Sequence, residues 1–295
     1  KCFFIQNKKD DMTISCFGDL HPHYSGNVVK AMASAKHGHK LILEKLNKTD
    51  NVDNVNNRSN IKVHHLFEHC DQLLISKITQ IKRLSPTIIE VTVKSPLAAQ
   101  KFSPGQFFRL QNYSFYASSK KKHNAHIAME GIALTGAKVN RSDGTISLIA
   151  LEIGGSSNLC RYLNVGEIIP LMGPTGTATI IPKNEKVLLI GGGLGNAVLF
   201  SIGKAMREYK CHVTYFAGYK KPEDRYRVSD IEQAADKVIW CCDTDLLSKN
   251  RKDDLTVLGN VIDGLFSYAE NDTDNTLKQI DRIIIIGSHH MMNAF

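Results

Sequence analysis

The stretch Lys186-Val-Leu-Leu-Ile-Gly-Gly-Gly-Leu-Gly-Asn-Ala-Val-Leu-Phe200 decides the fold of this chain. It begins with an apolar run of strand length, which stops at Gly191, Gly192 and Gly193. From Gly195 onward the apolar residues recur with the period of a helix. The stretch therefore predicts a strand, a glycine turn and a helix in direct succession.

Such a junction favours a nucleotide. Glycine accepts positive φ angles and has no Cβ, so a diphosphate can approach backbone amides at the positive end of the helix dipole. The glycine spacing departs from the strict G-x-G-x-x-G pattern. A tight strand-to-helix turn in an α/β protein without a nucleotide is therefore the alternative.

The composition is that of a globular protein with a basic surface. The 295 residues suit two domains, and 37 Lys plus Arg against 29 Asp plus Glu give a formal charge of +8. The excess is spread along the chain, with one dense run at Lys120-Lys121-Lys122. No aromatic-interleaved basic motif accompanies it, so nucleic-acid binding is not expected and ranks third among the hypotheses.

The cysteines and the apolar runs exclude other classes of protein. The seven cysteines contain no C-x-x-C pair, which favours buried reduced thiols in a cytoplasmic protein over a metal site. No apolar run has membrane-spanning length and the first residues do not resemble a secretion signal. We therefore expect no metal ligands, no membrane partner and a cytoplasmic location.

The first 69 residues read as two segments. Residues 1–46 predict a short strand, then Gly18-Asp19, then a helix that opens at Gly26 and closes at Gly38. This βα segment either contributes to a cofactor site or simply caps the next domain. Residues 47–69 are polar, rich in asparagine and without periodicity, which predicts a linker or mobile loop.

The sequence pattern of residues 70–182 is typical of an all-β domain. Six short runs rich in β-branched residues predict a small antiparallel barrel. The predicted strands cover residues 73–82, 87–93, 107–111, 127–135, 145–152 and 168–172. A helical turn over 156–163, entered through Gly154-Gly155 and capped by serines, makes a second helix start suited to an anion.

Residues 183–295 alternate between strands and helices, which predicts a parallel sheet with ligands at the carboxyl ends of its strands. Both Gly191–Gly195 and Gly287-Ser288 fall at such ends. A helix is predicted over residues 257–269. The last residues read as an interrupted helix, so we expect this domain to be truncated.

The order of these motifs resembles the ferredoxin–NADP reductase superfamily, and most closely the electron-transfer subunits of dihydroorotate dehydrogenase and related sulfide dehydrogenase or transhydrogenase subunits. The resemblance covers about residues 72–295. It rests on Phe102-Ser-Pro-Gly-Gln-Phe107, Leu134-Thr135, Gly155-Ser-Ser157, Gly166, Met172-Gly-Pro-Thr-Gly176, Gly191–Gly195, Gly218, Gly287 and Met291-Met292. Gly18-Asp19 with residues 26–35 is also similar to the C-terminal flavin segment of the glutamate synthase small subunit and of pyridine-nucleotide-disulfide oxidoreductases.

The first resemblance implies an FAD-dependent NAD(P)H oxidoreductase that transfers hydride between nicotinamide and flavin. Thr135, beside Leu134, takes the place of the catalytic hydroxyl at the flavin ring. The implied contacts with the FAD diphosphate are Gly155, Ser156 and Ser157, and the implied contacts with NADPH or NADH are Gly191, Gly192, Gly193, Leu194, Gly195, Asn196, Lys221, Arg225, Gly287 and Ser288. The second resemblance implies that Asp19 contacts a flavin ribityl chain.

The sequence also departs from the family pattern. Ile132 stands where the family has an arginine for the flavin phosphate. The cation for that phosphate is therefore missing unless Arg109 or Arg161 supplies it. A cysteine cluster for an iron–sulfur centre is absent from these residues. We expect a segment of a longer, glutamate synthase-like multi-flavin oxidoreductase whose partners are other redox domains, with an iron–sulfur centre as one candidate. The alternative is a non-catalytic scaffold of the same fold that has lost flavin.

Overall fold

The computed structural model of this chain describes residues 4–6, 13–49, 56–113, 119–120, 125–126, 128–271 and 276–295. The chain forms two compact units, residues 1–68 and residues 69–295. The second unit contains both an antiparallel and a parallel sheet, and it carries most of the predicted site residues.

The first unit contains a small hairpin and two helices. Its strands are β1 (Phe4–Gln6) and β2 (Thr13–Ser15), which pair antiparallel. They are followed by α1 (Val28–Thr49) and α2 (Asn56–Leu74), the second of which runs into the next unit. The short N-terminal strand and helix were predicted.

Two boundaries in this unit differ from the prediction. Helix α1 does not close at Gly38 but continues to Thr49, and this glycine instead makes room for the Phe17 ring, which a Cβ there would overlap. The segment 47–69 was predicted as a linker or mobile loop without periodicity, but α2 occupies residues 56–69 of it. Helix propensity is a weak prior, and the low propensity of asparagine did not prevent a helix here.

The second unit begins with the predicted six-stranded antiparallel sheet. Its strands are β3 (Lys77–Arg83), β4 (Ile88–Lys94), β5 (Phe107–Leu110), β8 (Ile132–Asn140), β9 (Thr145–Leu151) and β10 (Leu171–Thr175). The order is β10-β5-β8-β9-β4-β3. Backbone hydrogen bonds between Ile78 of β3 and residues 166–167, just before β10, close the sheet into a barrel.

Smaller elements complete the barrel. Helix α3 (Pro96–Lys101) lies between β4 and β5, and the two-residue strands β6 (Ser119–Lys120) and β7 (Ala125–His126) pair with each other. The helical turn predicted over 156–163 is a 3-10 helix over Ser157–Tyr162. Strand β8 was predicted to end at Thr135, but it continues to Asn140 because Gly136–Asn140 pair with β9.

The parallel sheet follows. Its elements are β11 (Lys186–Gly192), α4 (Asn196–Glu208), β12 (His212–Tyr219), α5 (Val228–Ala234), β13 (Lys237–Cys242), β14 (Leu255–Leu258), α6 (Val261–Glu270), β15 (Arg282–Ile286) and α7 (His289–Asn293). The strand order is β14-β13-β12-β11-β15. The sequence missed β14 and assigned its end to the helix, which begins only after the capping box of Asn260 and Asp263.

The core of the parallel sheet extends into the barrel. Barrel residues Ile88, Ala137 and Ile149 belong to the same buried apolar cluster as Phe200 of α4. Helix α4 also packs against β8. The two lobes of this unit are therefore one packed body. Among the described helices, none has the length and apolar character needed to cross a membrane.

A truncation in the barrel core tests this packing. Leu148 of β9 is fully buried, so Leu148→Ala is expected to lower the free energy of unfolding by about 2–5 kcal/mol. Leu246→Ala is the matched control, because that side chain is 63% exposed and its loss is expected to cost less than about 0.5 kcal/mol. Urea denaturation measures both. Equal effects of the two variants would contradict the assigned core.

Candidate functional site

The glycine turn lies between the carboxyl end of β11 and the start of α4. Gly193 has φ +53°, and its Cβ position faces open space. A 3-10 helix over Gly193–Gly195 runs directly into α4, and the backbone amide of Asn196, the first residue of α4, donates to the carbonyls of Gly193 and Leu194. Gly195 lies against the carbonyl of Ile286 on β15, with its Cβ position 2.7 Å from the carbonyl carbon. The turn thus lies between two adjacent strand ends, and it is open on the side of Gly193.

Asn196 supports this turn from inside. Its side chain is fully buried, and its amide nitrogen donates to the Gly193 carbonyl at 3.0 Å and to the Gly218 carbonyl at 3.4 Å. Its Oδ1 accepts a hydrogen bond from the Tyr215 hydroxyl at 3.0 Å. Gly191 accommodates this side chain, since a Cβ there would overlap Asn196 Oδ1. The side chain of Asn196 therefore shapes the turn, and a cofactor contact at this residue stays a prediction.

Tyr226 is a second support, which the sequence analysis missed. It is buried, and its hydroxyl donates to the carbonyls of Gly193 at 3.2 Å and Leu194 at 3.4 Å. Burial raises the pKa of this hydroxyl well above its usual range, so it remains a donor at neutral pH. The residue lies 33 positions from Gly193, and no local pattern marked it.

The carboxyl end of β15 adjoins the turn, as predicted from parallel pairing. Gly191 is opposite Ile286 in the register. The sulfur of Met291 lies over both Gly192 and Gly287, because a Cβ on either glycine would overlap it. Ser288 is exposed and accepts a hydrogen bond from the Met291 amide at 3.2 Å, which caps α7. The structure therefore brings Gly287 and Ser288 to the same edge as the glycine turn.

The predicted cations follow β12 directly but are partly engaged. The Arg225 guanidinium donates to Ser248 Oγ at 3.0 Å and to the Ser248 carbonyl at 2.5 Å, and it lies 5.4 Å from the Trp240 ring centroid. Lys221 is exposed and pairs with Glu223 at 3.8 Å. Lys220 is exposed. Arg225 is thus held by the protein, while the two lysines face solvent.

The barrel presents a second candidate surface on the outer face of β5 and β8. Phe107 pairs with Thr135 and Arg109 pairs with Ala133, so these four side chains share one face. Thr135 Oγ1 is buried and has no hydrogen-bond partner among the described residues. Leu134 points the other way into the barrel core and is 7% exposed, and the predicted cofactor contact at this residue stays a prediction.

The serine turn closes on itself and on the start of β8. Ser157 Oγ accepts a hydrogen bond from the Gly154 amide at 3.0 Å, and Ser156 Oγ accepts one from the Glu130 amide at 3.1 Å. Gly155 is exposed with nothing near its Cβ position. Glu130 precedes Gly131, over which the Arg109 side chain passes. The turn therefore adjoins the same end of β8 as Arg109.

Of the two arginines that could replace the missing family cation, Arg109 is the available one. Arg161 is held by Glu152 at 3.2 Å and by Asn158 at 3.1 Å. Arg109 is exposed and makes no hydrogen bond or ion pair within the part of the chain that the structure describes. Ile132 packs against the barrel core.

The remaining predictions concern Asp19 and metals. The backbone of Asp19 lies in a 3-10 helix over Gly18–Leu20, but its side chain lies outside the described residues. Across the described ranges, no group of three His, Cys, Asp or Glu side chains is arranged to hold a metal ion. The role of Asp19 stays a prediction.

Most of the described thiols in the second unit are buried. Burial, with a contribution from Glu152, raises the pKa of Cys160 to about 12. Burial also raises the pKa of Cys241 to about 12, with Asp263 and Asp243 adding to it. Both remain protonated at neutral pH, where the nucleophilic thiolate is scarce.

No family model matches this chain. It is 38% identical over 201 residues to an uncharacterized protein of Rickettsia prowazekii. The matched region covers 68% of this chain and 26% of that protein. It is 23% identical over 166 residues to a protein of Thermotoga maritima described as a homolog of the electron transfer subunit of dihydroorotate dehydrogenase B (NAD(+)), which covers 56% of this chain and 54% of that protein. The chain thus spans about half or less of these relatives.

A solved structure with the same fold is that of the NADH-dependent reduced ferredoxin-NADP oxidoreductase, which was studied for flavin-based electron bifurcation. The TM-score is 0.56 with 20% sequence identity, over 75% of this chain and 70% of that chain. The resemblance found in the sequence is therefore confirmed for the barrel and the parallel sheet. None of these relatives bears on the resemblance to glutamate synthase, which stays a prediction.

The close approach at Gly195 can be tested by adding a methyl group. In Gly195→Ala the new Cβ meets the backbone of Ile286, which cannot rotate away, so we expect a loss of about 1–3 kcal/mol in the free energy of unfolding. Gly155→Ala is the control, because its Cβ position is empty and its φ lies outside the left-handed region. Guanidinium denaturation compares the two. A Gly195→Ala variant as stable as the control would refute this contact.

The raised pKa values predict selective alkylation. At pH 8 we expect iodoacetamide to leave Cys160 and Cys241 unmodified, because their thiolates form only as the pH approaches about 12. The partly exposed Cys70 is the internal reference. Peptide mass spectrometry reads the modified sites. Modification of Cys160 in the folded protein at the rate of Cys70 would contradict its burial.

Proposed function

We propose that this chain, which has the fold of ferredoxin–NADP reductase-like flavoproteins, is an FAD-dependent NAD(P)H oxidoreductase module. The barrel face of β5 and β8 binds the flavin, and the glycine turn binds the pyridine dinucleotide. The names of the relatives support this, since they are an electron transfer subunit homolog and an NADH-dependent oxidoreductase. The site residues themselves remain part of the proposal.

The orphaned hydroxyl of Thr135 carries the proposal. A buried polar group without a partner costs free energy, which a bound ligand recovers when it supplies the missing hydrogen bond. This hydroxyl stands beside the half-exposed Phe107 ring and the unpaired Arg109. A flat, polar-edged and phosphorylated cofactor suits that combination of hydroxyl, aromatic ring and cation.

FAD would supply the hydride acceptor and NADPH or NADH the donor. The task of the chain is then to bind and orient both groups. Thr135 hydrogen-bonds the ring edge, Arg109 compensates for Ile132 at the phosphates, and the backbone of Gly155 leaves room for the diphosphate. In the parallel-sheet lobe, the open glycine turn over Gly193–Gly195 receives the dinucleotide diphosphate.

The nicotinamide end is assigned to the edge formed by Gly192, Gly287 and Ser288, and the adenosine end to Lys221 and Arg225. Met291 lies over the first two, so an approaching ring meets a thioether. Apolar contact at this edge excludes water from hydride transfer. The transfer requires the nicotinamide and flavin rings to lie face to face. No acid–base residue is required.

We also propose that the electrons leave for another redox centre. The relative from Thermotoga maritima is described as an electron transfer subunit homolog, and such a subunit passes electrons onward. Other redox domains of a longer multi-flavin oxidoreductase are the proposed partners, and an iron–sulfur centre is one candidate.

Absorbance spectroscopy separates this proposal from the scaffold alternative. The purified chain, or the chain after incubation with FAD and desalting, is expected to show bound-flavin bands that bleach on anaerobic addition of NADH or NADPH. A scaffold that has lost flavin gives no bands in either case. A third reading, nucleic-acid binding, predicts salt-sensitive binding of duplex DNA, and a flat titration removes it.

Two substitutions test whether the barrel face of β5 and β8 binds the flavin. Thr135→Val keeps the shape but removes the hydroxyl, and we expect flavin reduction to slow about fivefold, as for one neutral hydrogen bond of about 1 kcal/mol. Arg109→Gln is expected to raise the Kd for FAD about tenfold, as for loss of a charged hydrogen bond. Stopped-flow reduction and fluorescence titration measure these effects.

Lys82→Gln is the matched control, because Lys82 is an exposed cation of β3 and contributes nothing to that face. It is expected to keep the wild-type Kd and rate. If Arg109→Gln and Lys82→Gln bind FAD equally well, the cation of the flavin site lies elsewhere.

A further inference from the structure

Two consecutive residues, Tyr226 and Arg227, reach in opposite directions between β12 and α5. The Tyr226 hydroxyl donates to the carbonyls of Gly193 and Leu194, within the glycine turn. Arg227 donates to the carboxylate of Glu90, which lies on β4 of the barrel. One residue therefore contacts the proposed dinucleotide site, and its neighbour contacts the lobe of the proposed flavin site.

Arg227 forms ion pairs at the interface between the two lobes. The Glu90 side chain is 2% exposed, and Arg227 is its ion-pair partner. A second carboxylate, Asp230, accepts from Arg227 Nη1 at 3.2 Å and also lies 4.0 Å from Lys138 of β8. Each lobe thus contributes one cation and one anion to the interface. A shift of either lobe would leave the buried Glu90 charge without its partner, which is strongly unfavourable.

The backbone conformation of Arg227 also indicates that its surroundings hold this residue in place. Arg227 has φ +52° and ψ +41°, which is the left-handed region that residues with a side chain rarely adopt. Such a conformation persists only when its surroundings hold it, and it occurs often at functional sites. Here the two ion pairs hold Arg227, while Tyr226 packs against the rings of Phe200 and Tyr219 with centroids 6.0 and 6.2 Å away.

We propose that Tyr226 and Arg227 are positioning residues that fix the glycine turn relative to the barrel, and so set the separation of the nicotinamide and the flavin. This inference rests on the proposed function. Hydride transfer requires the reacting atoms at about 3–3.5 Å, and a displacement of about 1 Å can cost about 100-fold in rate. Neither residue needs to touch a cofactor, since each acts through the element it holds.

The test compares Arg227→Lys with Arg207→Lys. Lysine keeps the charge but not the forked geometry of arginine. Arg207 is also a partly exposed arginine of the parallel-sheet lobe, but its partners, Asp236 at 3.0 Å and the Gln233 carbonyl at 2.9 Å, lie in that same lobe. At saturating NADH or NADPH, flavin reduction in Arg227→Lys is expected to fall about 10- to 100-fold. The Kd for the nucleotide is expected to change less than about twofold, and Arg207→Lys to match the wild type.

A second readout needs no cofactor. Hydrogen exchange by mass spectrometry in the free protein is expected to speed up over residues 191–196 in both Arg227→Lys and Tyr226→Phe, and to be unchanged in Arg207→Lys. Glu90→Gln, which keeps the size of the partner, is expected to reproduce Arg227→Lys. It also replaces that variant if Arg227→Lys fails to fold.

The outcomes are distinguishable. A wild-type protein whose flavin is not reduced contradicts the proposed function, while faster exchange over residues 191–196 would still support the coupling. A wild-type protein that is reduced, with Arg227→Lys and Glu90→Gln equally fast, overturns the inference. Equal losses of rate, affinity and stability in the Arg227 and Arg207 variants would also overturn it, because they would indicate a merely structural role.

Discussion

The close approach of Gly195 to the carbonyl of Ile286 is the constraint on which the parallel-sheet lobe depends. Because glycine has no Cβ, α4 can begin directly above the boundary between β11 and β15. This boundary is where the strand order reverses, since β12 lies on one side of β11 and β15 on the other. Ligands of open α/β sheets bind at such a boundary. The packing requirement and the proposed binding site therefore have the same cause.

The support beneath the turn is aromatic and polar. Tyr215 and Tyr226 are both buried, and each hydroxyl is satisfied by the turn or by Asn196. Because a buried hydroxyl gains free energy from a hydrogen-bond partner, these tyrosines stabilise one shape of the turn before any ligand arrives. Thr135 on the barrel is the contrasting case, because its buried hydroxyl lacks a partner among the described residues. The protein itself satisfies the hydroxyls beneath the glycine turn, whereas a bound ligand could satisfy the hydroxyl of Thr135.

The two lobes are joined by a shared core and by charges. Ala137 of the barrel belongs to the apolar cluster beneath α4, and the Arg227–Glu90 ion pair lies in the same interface. Apolar contact supplies stability without direction, while a buried ion pair is sensitive to its geometry. The combination fixes the barrel and the parallel sheet against each other more firmly than either contact alone.

The sequence by itself determined the order of the barrel and the parallel sheet and the position of the glycine turn, because strand and helix periods and turn glycines are local signals. It failed at Gly38, where the Phe17 ring packs against a glycine inside the helix, and in α2, where an asparagine-rich segment forms a helix. Only the tertiary structure decided that Asn196 faces inward and that Arg227 meets Glu90, 137 residues away. Contacts between residues so far apart depend on how the sheets pack, and no periodicity in the chain records them.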